Sequence, residues 1–131
     1  MKFAPPMTRS EQRSKLLWLI AVFSSLAALS AMLDPDRTAG SMGMLLVGVN
    51  GYSQFFAIYV GVRLATAGLA LIASRNGDQP LLGDITALFV LAQPAGRLIA
   101  ALQIGLPQGF LLVLCGLELL GGLTLLALRP R

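Results

Sequence analysis

The sequence has 131 residues, of which 56% are hydrophobic and only 12% are charged, and it contains no histidine. This composition leaves too little polar surface for a soluble domain of that length. The lack of histidine argues against histidine-ligated haem, the usual zinc sites and histidine-based catalytic triads. We therefore expect an all-α integral membrane protein with no metal site and no resident cofactor.

The net charge of +4 does not indicate binding to nucleic acid. The chain has no basic helix and no basic patch interleaved with aromatic residues. Its basic residues lie at the ends of apolar segments, as is typical of membrane proteins. Cys115, the single cysteine, lies within an apolar segment and is predicted to be a small core residue.

Four apolar segments are long enough to cross a bilayer as helices. The residues before them, 1–15, form a basic segment that we expect in the cytoplasm. The rest of the chain, 16–131, is predicted to form one transmembrane domain, a four-helix bundle. Its predicted spans are residues 16–33, 55–73, 81–104 and 110–128.

The first span could instead be the apolar region of a signal peptide. Such regions usually have only about 7 to 15 residues, whereas the uncharged run here extends from Leu16 to Leu33. We therefore expect a retained helix.

The distribution of basic residues predicts the orientation of the bundle. With four spans both termini lie on the same side, and the side with more lysine and arginine is normally cytoplasmic. Only Arg37 lies on the opposite side. This strong bias argues against a dual-topology dimer and predicts a multi-pass protein of the bacterial inner membrane with both termini in the cytoplasm. The basic residues on the cytoplasmic side are Lys2, Arg9, Arg13, Lys15, Arg75, Arg129 and Arg131.

The loop after the first span contains an apolar stretch, Met42–Val49, that is too short to cross the membrane. It could form a lid over the bundle or a helix at the interface, or it could simply extend the second span. The dipeptide Asn50-Gly51 favours a break before that span.

Three charged residues, Arg63, Arg97 and Glu118, lie deep inside separate apolar segments. Counted from the predicted span ends, all three lie about 12 to 14 Å below the outer boundary of the hydrocarbon core. A charge facing lipid at the centre of a helix costs about 2.5 to 3.5 kcal/mol on insertion scales. We therefore expect the three side chains to face one another, with one surplus positive charge.

Other residues share these helix faces. Tyr59 and Thr66 lie on the face of Arg63, and Gln93 lies on that of Arg97. Tyr59 and Gln93 are candidates for the ligand site or, alternatively, acceptors for the arginines' hydrogen bonds. Pro94 cannot donate to the carbonyl of Val90, so a kink is expected beside Arg97.

Two further patterns have structural interpretations. Asp84 is predicted to be a carboxylate near a helix N-terminus, because its side chain points away from Arg97 on a helical wheel. Small residues at helical spacing indicate close helix packing, within the chain or in a homodimer. They are Gly61, Ala65, Gly68, Gly96, Ala100, Gly121 and Gly122.

Several short motifs resemble an uncharacterised bacterial family of four-helix membrane proteins, a domain of unknown function. They are FFAIYVG around Tyr59, AGRL around Arg97, the Gly105-Leu106-Pro107 turn and LEL around Glu118, and they span most of residues 50–128. The resemblance implies the fold and suggests Tyr59, Arg97 and Glu118 as site or packing residues. Where the family has an acidic residue and an arginine before its Ala-x-Tyr element, this chain has Gln54 and Phe56.

Two functions fit these observations. The first is a non-enzymatic membrane protein whose charged layer binds a small anionic or amphipathic ligand, such as a lipid headgroup or a quinone. The second is an accessory subunit of a larger membrane complex, in which the charges hold the helices together. Glu118 has no nucleophile or metal cluster beside it in the sequence pattern, so an enzyme is not expected.

Overall fold

We describe residues 4–131 in a computed structural model. The described chain is helical and has no β-strand. The first long helix, α1, is Arg9–Leu33, and a short helix, α2, is Pro35–Ser41. The second long helix consists of α3 (Gly48–Phe56), a π-helical segment (Ala57–Val62) and α4 (Arg63–Arg75) without interruption. The last two are α5 (Pro80–Ala101) and α6 (Phe110–Ala127).

Local sequence explains where several helices begin. Thr8 and Glu11 form a capping box at the start of α1, in which the Thr8 hydroxyl accepts from the Glu11 amide at 3.2 Å. Asp34 caps α2 through the Arg37 amide. Proline occupies the first position of both α2 and α5, where the lack of an amide hydrogen costs no helical bond.

Within residues 4–131, four helical units are long and apolar enough to cross a membrane. They are α1, the continuous Gly48–Arg75 helix, α5 and α6. The prediction of a multi-pass, all-α membrane protein is therefore confirmed. Large apolar side chains cover the outside of the bundle, which is the side that faces lipid in such a protein.

Consecutive long helices pack side by side: α1 on α4, α4 on α5, and α5 on α6. One apolar cluster contains Leu17, Ala21, Ala70, Ala73, Ala87 and Leu125. A second contains Ala31, Ala39, Met42 and Phe55, with Leu111 and Leu114 packed against it. Alanine dominates the buried positions, so the helix backbones approach closely.

The two clusters mark the two ends of the bundle. We call the end where Arg13, Pro80 and Leu125 meet the terminal end. The opposite end carries residues 34–47 and 102–109, which connect the helices there, and we call it the loop end.

The structure corrects some predicted boundaries. The second long helix begins at Gly48 instead of Phe55, and it continues through Asn50 and Gly51. The predicted break at that dipeptide is therefore wrong, because Gly48 itself, with φ of 64°, supplies the turn into the helix. Of the Met42–Val49 stretch, Val49 extends the helix, while Met44 and Leu46 pack on the second apolar cluster.

Other helix ends also differ from the prediction. The first helix starts at Arg9, before the predicted Leu16, because the capping box lies within the basic segment. The third ends at Ala101, before the predicted Ile104. Pro94 is buried within α5, which continues on both sides of it, so the expected kink does not interrupt the helix.

Candidate binding site

Arg63, Arg97 and Glu118 meet inside the bundle. Nη2 of Arg63 donates to Oε1 of Glu118 at 2.5 Å. Nη1 of Arg97 donates to the other carboxylate oxygen, Oε2. One carboxylate on α6 therefore joins two guanidinium groups that come from α4 and α5.

Gln93 completes this charged network. Its Oε1 accepts from Nη2 of Arg63 at 2.9 Å and from Nη2 of Arg97 at 3.2 Å. Gln93 and Arg97 lie one turn apart on α5, so their side chains project from the same face. We refer to Arg63, Gln93, Arg97 and Glu118 together as the charged network.

Helix direction explains how residues at different distances from the loop end can meet. Arg97 lies close to the last residue of α5, Ala101, whereas Glu118 lies about 12 Å along α6 from Phe110. Side chains in a helix lean towards its N-terminus. Because α5 and α6 are antiparallel, Arg97 leans towards the terminal end and Glu118 leans towards the loop end.

The π-helical segment ends immediately before Arg63. A π turn holds one more residue than an α turn and so changes the face on which the following residues lie. This turn directs Arg63 towards α5 and α6, while Phe55 on α3 faces the second apolar cluster. Such turns are frequent at functional sites.

The charged network is buried but has an unbalanced charge. The side chains of Arg63 and Arg97 are 13% and 14% exposed, and that of Glu118 is 8% exposed. Two guanidinium groups and one carboxylate leave one net positive charge. In addition, Nε of Arg63 is buried and has no hydrogen-bond partner among residues 4–131. The network therefore has unused donors but no unused carboxylate.

The remaining predicted site residue, Tyr59, does not join the network. Its ring stacks on Phe55, with a centroid distance of 4.7 Å, next to the second apolar cluster. Phe55 lies one turn before Tyr59 on the same face, which favours this stacking. Nor does the Thr66 hydroxyl add to the network, since it donates to the Val62 carbonyl of its own helix.

Sequence reasoning missed a second charge cluster, at the terminal end, in which Arg13 is buried and Arg129 is exposed. Arg13 donates to Asp84 at 2.5 Å, to the Pro80 carbonyl at 2.9 Å and to the Leu125 carbonyl at 3.0 Å. Arg129 donates to the other oxygen of Asp84 at 2.7 Å. We call Arg13, Asp84 and Arg129 the terminal clamp, because it joins the start of α1 and of α5 to the end of α6.

Asp84 indeed points away from the charged network, but it forms two salt bridges. The signal for this pairing was indirect. An acidic residue lies within a predicted span near its basic end, where several arginines compete as partners. Which of them pairs with Asp84 depends on how the helices pack, and a single sequence does not specify that.

A family model described as a domain of unknown function, DUF4345, matches residues 14–129. The chain belongs to the DUF4345 family. The predicted resemblance to an uncharacterised domain family is thus confirmed, and the match extends beyond residues 50–128 into α1. No curated protein and no solved structure matches the chain significantly.

Proposed function

We propose that this DUF4345 protein is a non-enzymatic, multi-pass protein of the bacterial inner membrane, with both termini in the cytoplasm. In this proposal the charged network holds a small anionic or amphipathic ligand. The bias of basic residues towards the terminal end supports the orientation.

The observation that carries the proposal is the surplus positive charge of the charged network. A guanidinium has five N–H donors and no acceptor. Glu118 and Gln93 together leave several donors of Arg63 and Arg97 unused, including the buried Nε of Arg63. A buried donor without a partner costs about 1 to 3 kcal/mol. A bound anionic acceptor would remove this cost and neutralise the net charge.

The hydrogen-bond donors of the network limit which classes of ligand it can bind. The arginines can donate to a phosphate, a carboxylate or a quinone carbonyl, and guanidinium groups pair best with planar or tetrahedral oxyanions. The site has no free acidic group to attract a cation, because both oxygens of Glu118 accept from arginine. A singly charged anionic headgroup therefore matches the site best.

A second candidate function is supported by the shared acceptors of the network. Glu118 and Gln93 each bond to both arginines, and the four side chains connect α4, α5 and α6. The same geometry suits an internal ion network in an accessory subunit of a larger membrane complex or a homo-oligomer. Buried networks of this type fix helix register in some proteins.

Native mass spectrometry of protein extracted with its surrounding lipid would test both candidates. Arg97→Met removes the surplus charge and leaves a neutral Arg63–Glu118 pair, so the fold should tolerate it. Arg129→Met is the matched control, since it removes the same charge from the terminal clamp. We expect wild type and the Arg129→Met variant to retain a defined small molecule that the Arg97→Met variant loses.

The opposite results are informative. A wild-type protein that carries no small molecule, or one that is isolated only with other subunits, would overturn the ligand proposal and support the accessory subunit. Helicity measured by circular dichroism would show that the Arg97→Met variant is folded.

A further inference from the structure

The loop end of the bundle has long stretches without charge. Residues 38–62 and residues 98–117 contain no lysine, arginine, aspartate or glutamate. The charged residues at this end, Asp34, Asp36 and Arg37, lie at the start of the short helix α2. The chain between α5 and α6 thus has no ionic group that would hold it in water.

Large apolar side chains at the loop end are exposed. Leu45 and Val47, before α3, are 87% and 72% exposed, and Leu102 and Ile104, after α5, are both 86% exposed. The nearby Leu106 is also exposed. These residues continue the apolar lipid-facing sides of the long helices. Large apolar side chains that are exposed together in this way are normally covered by lipid or by a partner.

Helix length places the tip of the α5–α6 hairpin at the membrane boundary. The 18 residues of α6 span about 27 Å, slightly less than a hydrocarbon core of about 30 Å. The connection after α5 is compact, because the amides of Leu102, Gln103 and Ile104 bond back to carbonyls of Ile99 and Ala100. With these three amides satisfied and no charged side chain, this connection can lie at the level of lipid headgroups, where its other amides can bond to water or to headgroups.

The charged network lies about 12 Å below this tip, measured along α6 from Phe110 to Glu118. Arg97 is one helical turn from Ala101, the last residue of α5. Because the Arg97 side chain leans away from the tip, an anionic group at headgroup level would have to move inward by about two turns, or about 11 Å, to reach its guanidinium. No charged residue of the α5–α6 connection lies between them.

We propose that the ligand of the charged network is a membrane-dissolved amphiphile with a singly charged anionic headgroup, and that it enters from the lipid phase at the α5–α6 tip. This inference rests on the proposed ligand-binding function. In this proposal the apolar, charge-free tip lies in the lipid headgroup region, and the exposed apolar side chains of α5 and α6 below it contact the tail of the amphiphile. A water-soluble anion would have to cross that surface without a hydrated path.

The test uses the protein in nanodiscs of zwitterionic lipid and two probes with the same headgroup chemistry. Dodecyl methyl phosphate represents the amphiphile and ethyl methyl phosphate represents the water-soluble anion, and both are phosphodiesters with a single negative charge. Native mass spectrometry measures retention of each probe by wild type, the Arg97→Met variant and the Arg129→Met control. We expect wild type and the control to bind dodecyl methyl phosphate at least tenfold more strongly than ethyl methyl phosphate, and the Arg97→Met variant to lose this binding.

A depth measurement tests the position of the tip independently. In a Cys115→Ala background, Ile104→Cys should react at least tenfold more slowly with a membrane-impermeant maleimide than Arg37→Cys, which lies on exposed α2. Detergent should remove this difference.

The outcomes separate the two proposals. Equal binding of both phosphates, lost in the Arg97→Met variant, would leave the binding function standing but overturn entry from lipid. Rapid labelling of Ile104→Cys in nanodiscs would also overturn it. If neither phosphate binds wild type, both the binding function and the inferred ligand class fail.

Discussion

Arg13 and Arg63 are both largely buried, but their guanidinium groups are satisfied to different degrees. Each of the bonded nitrogens of Arg13, Nε, Nη1 and Nη2, has its own acceptor. Arg63 bonds through Nη2 alone, and its Nε has no partner within residues 4–131. An arginine whose donors all have partners is typical of a structural contact. An arginine with unused donors can donate to a ligand.

Gly83 provides the space for the Arg13 guanidinium, and this gives a residue-scale prediction. A Cβ at position 83 would lie 2.7 Å from Cζ of Arg13. The guanidinium cannot move aside easily, because three hydrogen bonds hold it. We expect Gly83→Ala to destabilise the protein by about 1 to 3 kcal/mol, as measured by thermal unfolding in detergent.

Gly96→Ala is the matched control for this prediction. Gly96 is also inside α5, but a Cβ there would have no neighbour within 4 Å. Alanine should therefore be neutral or stabilise the helix by up to about 1 kcal/mol. Equal effects of the two substitutions would show that contact with Arg13 does not determine the requirement for glycine at position 83.

For single residues, the sequence was enough to predict which isolated charges meet inside the bundle. Arg63, Arg97 and Glu118 could be predicted to meet because each is costly within an apolar span and each lacks a charged neighbour on its own helix. The contacts of Tyr59 were not predictable in the same way. A tyrosine can bury its apolar ring against other side chains or bond through its hydroxyl, so its type alone does not fix its surroundings. Whether any of these residues binds a ligand remains a prediction.

At the scale of elements, the π-helical segment connects two helices that pack against different apolar clusters. Helix α3 contributes Phe55 to the second apolar cluster, and α4 contributes Ala70 and Ala73 to the first. Arg63, the first residue of α4, must at the same time face Glu118. One extra residue in a π turn lets both helices keep their own buried face.

Deletion of one residue tests this interpretation. Removing Gly61 should convert the π turn into an α turn, because the turn holds one residue too many for an α-helix. Both flanking helices would keep their faces, so we expect a folded protein with a thermal unfolding midpoint near that of wild type. Circular dichroism in detergent would measure both helicity and the midpoint.

Removing Gly68 is the comparison for that deletion. It lies in regular α-helix, and its loss would rotate the following residues by about 100° relative to the preceding ones. Ala70 and Ala73 would then leave the first apolar cluster, and the protein should unfold or aggregate. If the two deletions were equally damaging, the π segment would not contain a dispensable residue.

Helix boundaries were less predictable than helix existence. Apolar length identified all four long helices, because a bilayer requires each of them to be continuous and apolar. It did not locate Gly48 as the start of the second helix or Arg9 as the start of the first. Polar residues such as Asn50 are tolerated in a helix beyond the hydrocarbon core, where the hydropathy pattern contains no signal.

For the molecule as a whole, charge and apolar surface are separated between the two ends. The terminal end carries the terminal clamp, in which Asp84 holds Arg13 and Arg129. The loop end has exposed leucine, isoleucine and valine, and α2 supplies its few charges. This separation predicts a preference for one orientation, because lysine and arginine resist transfer across the membrane.

Orientation is the prediction that concerns the whole molecule. Most basic residues, including Arg75 and Arg131, are at the terminal end, so that end should remain in the cytoplasm. In a bacterial host, alkaline phosphatase fused after Arg131 should be inactive and a green fluorescent protein fused there should fluoresce. Phosphatase inserted between Leu106 and Pro107 should be active, since this connection lies at the opposite end. Active phosphatase after Arg131 would contradict the predicted orientation, and it would also place the charged network closer to the cytoplasmic leaflet.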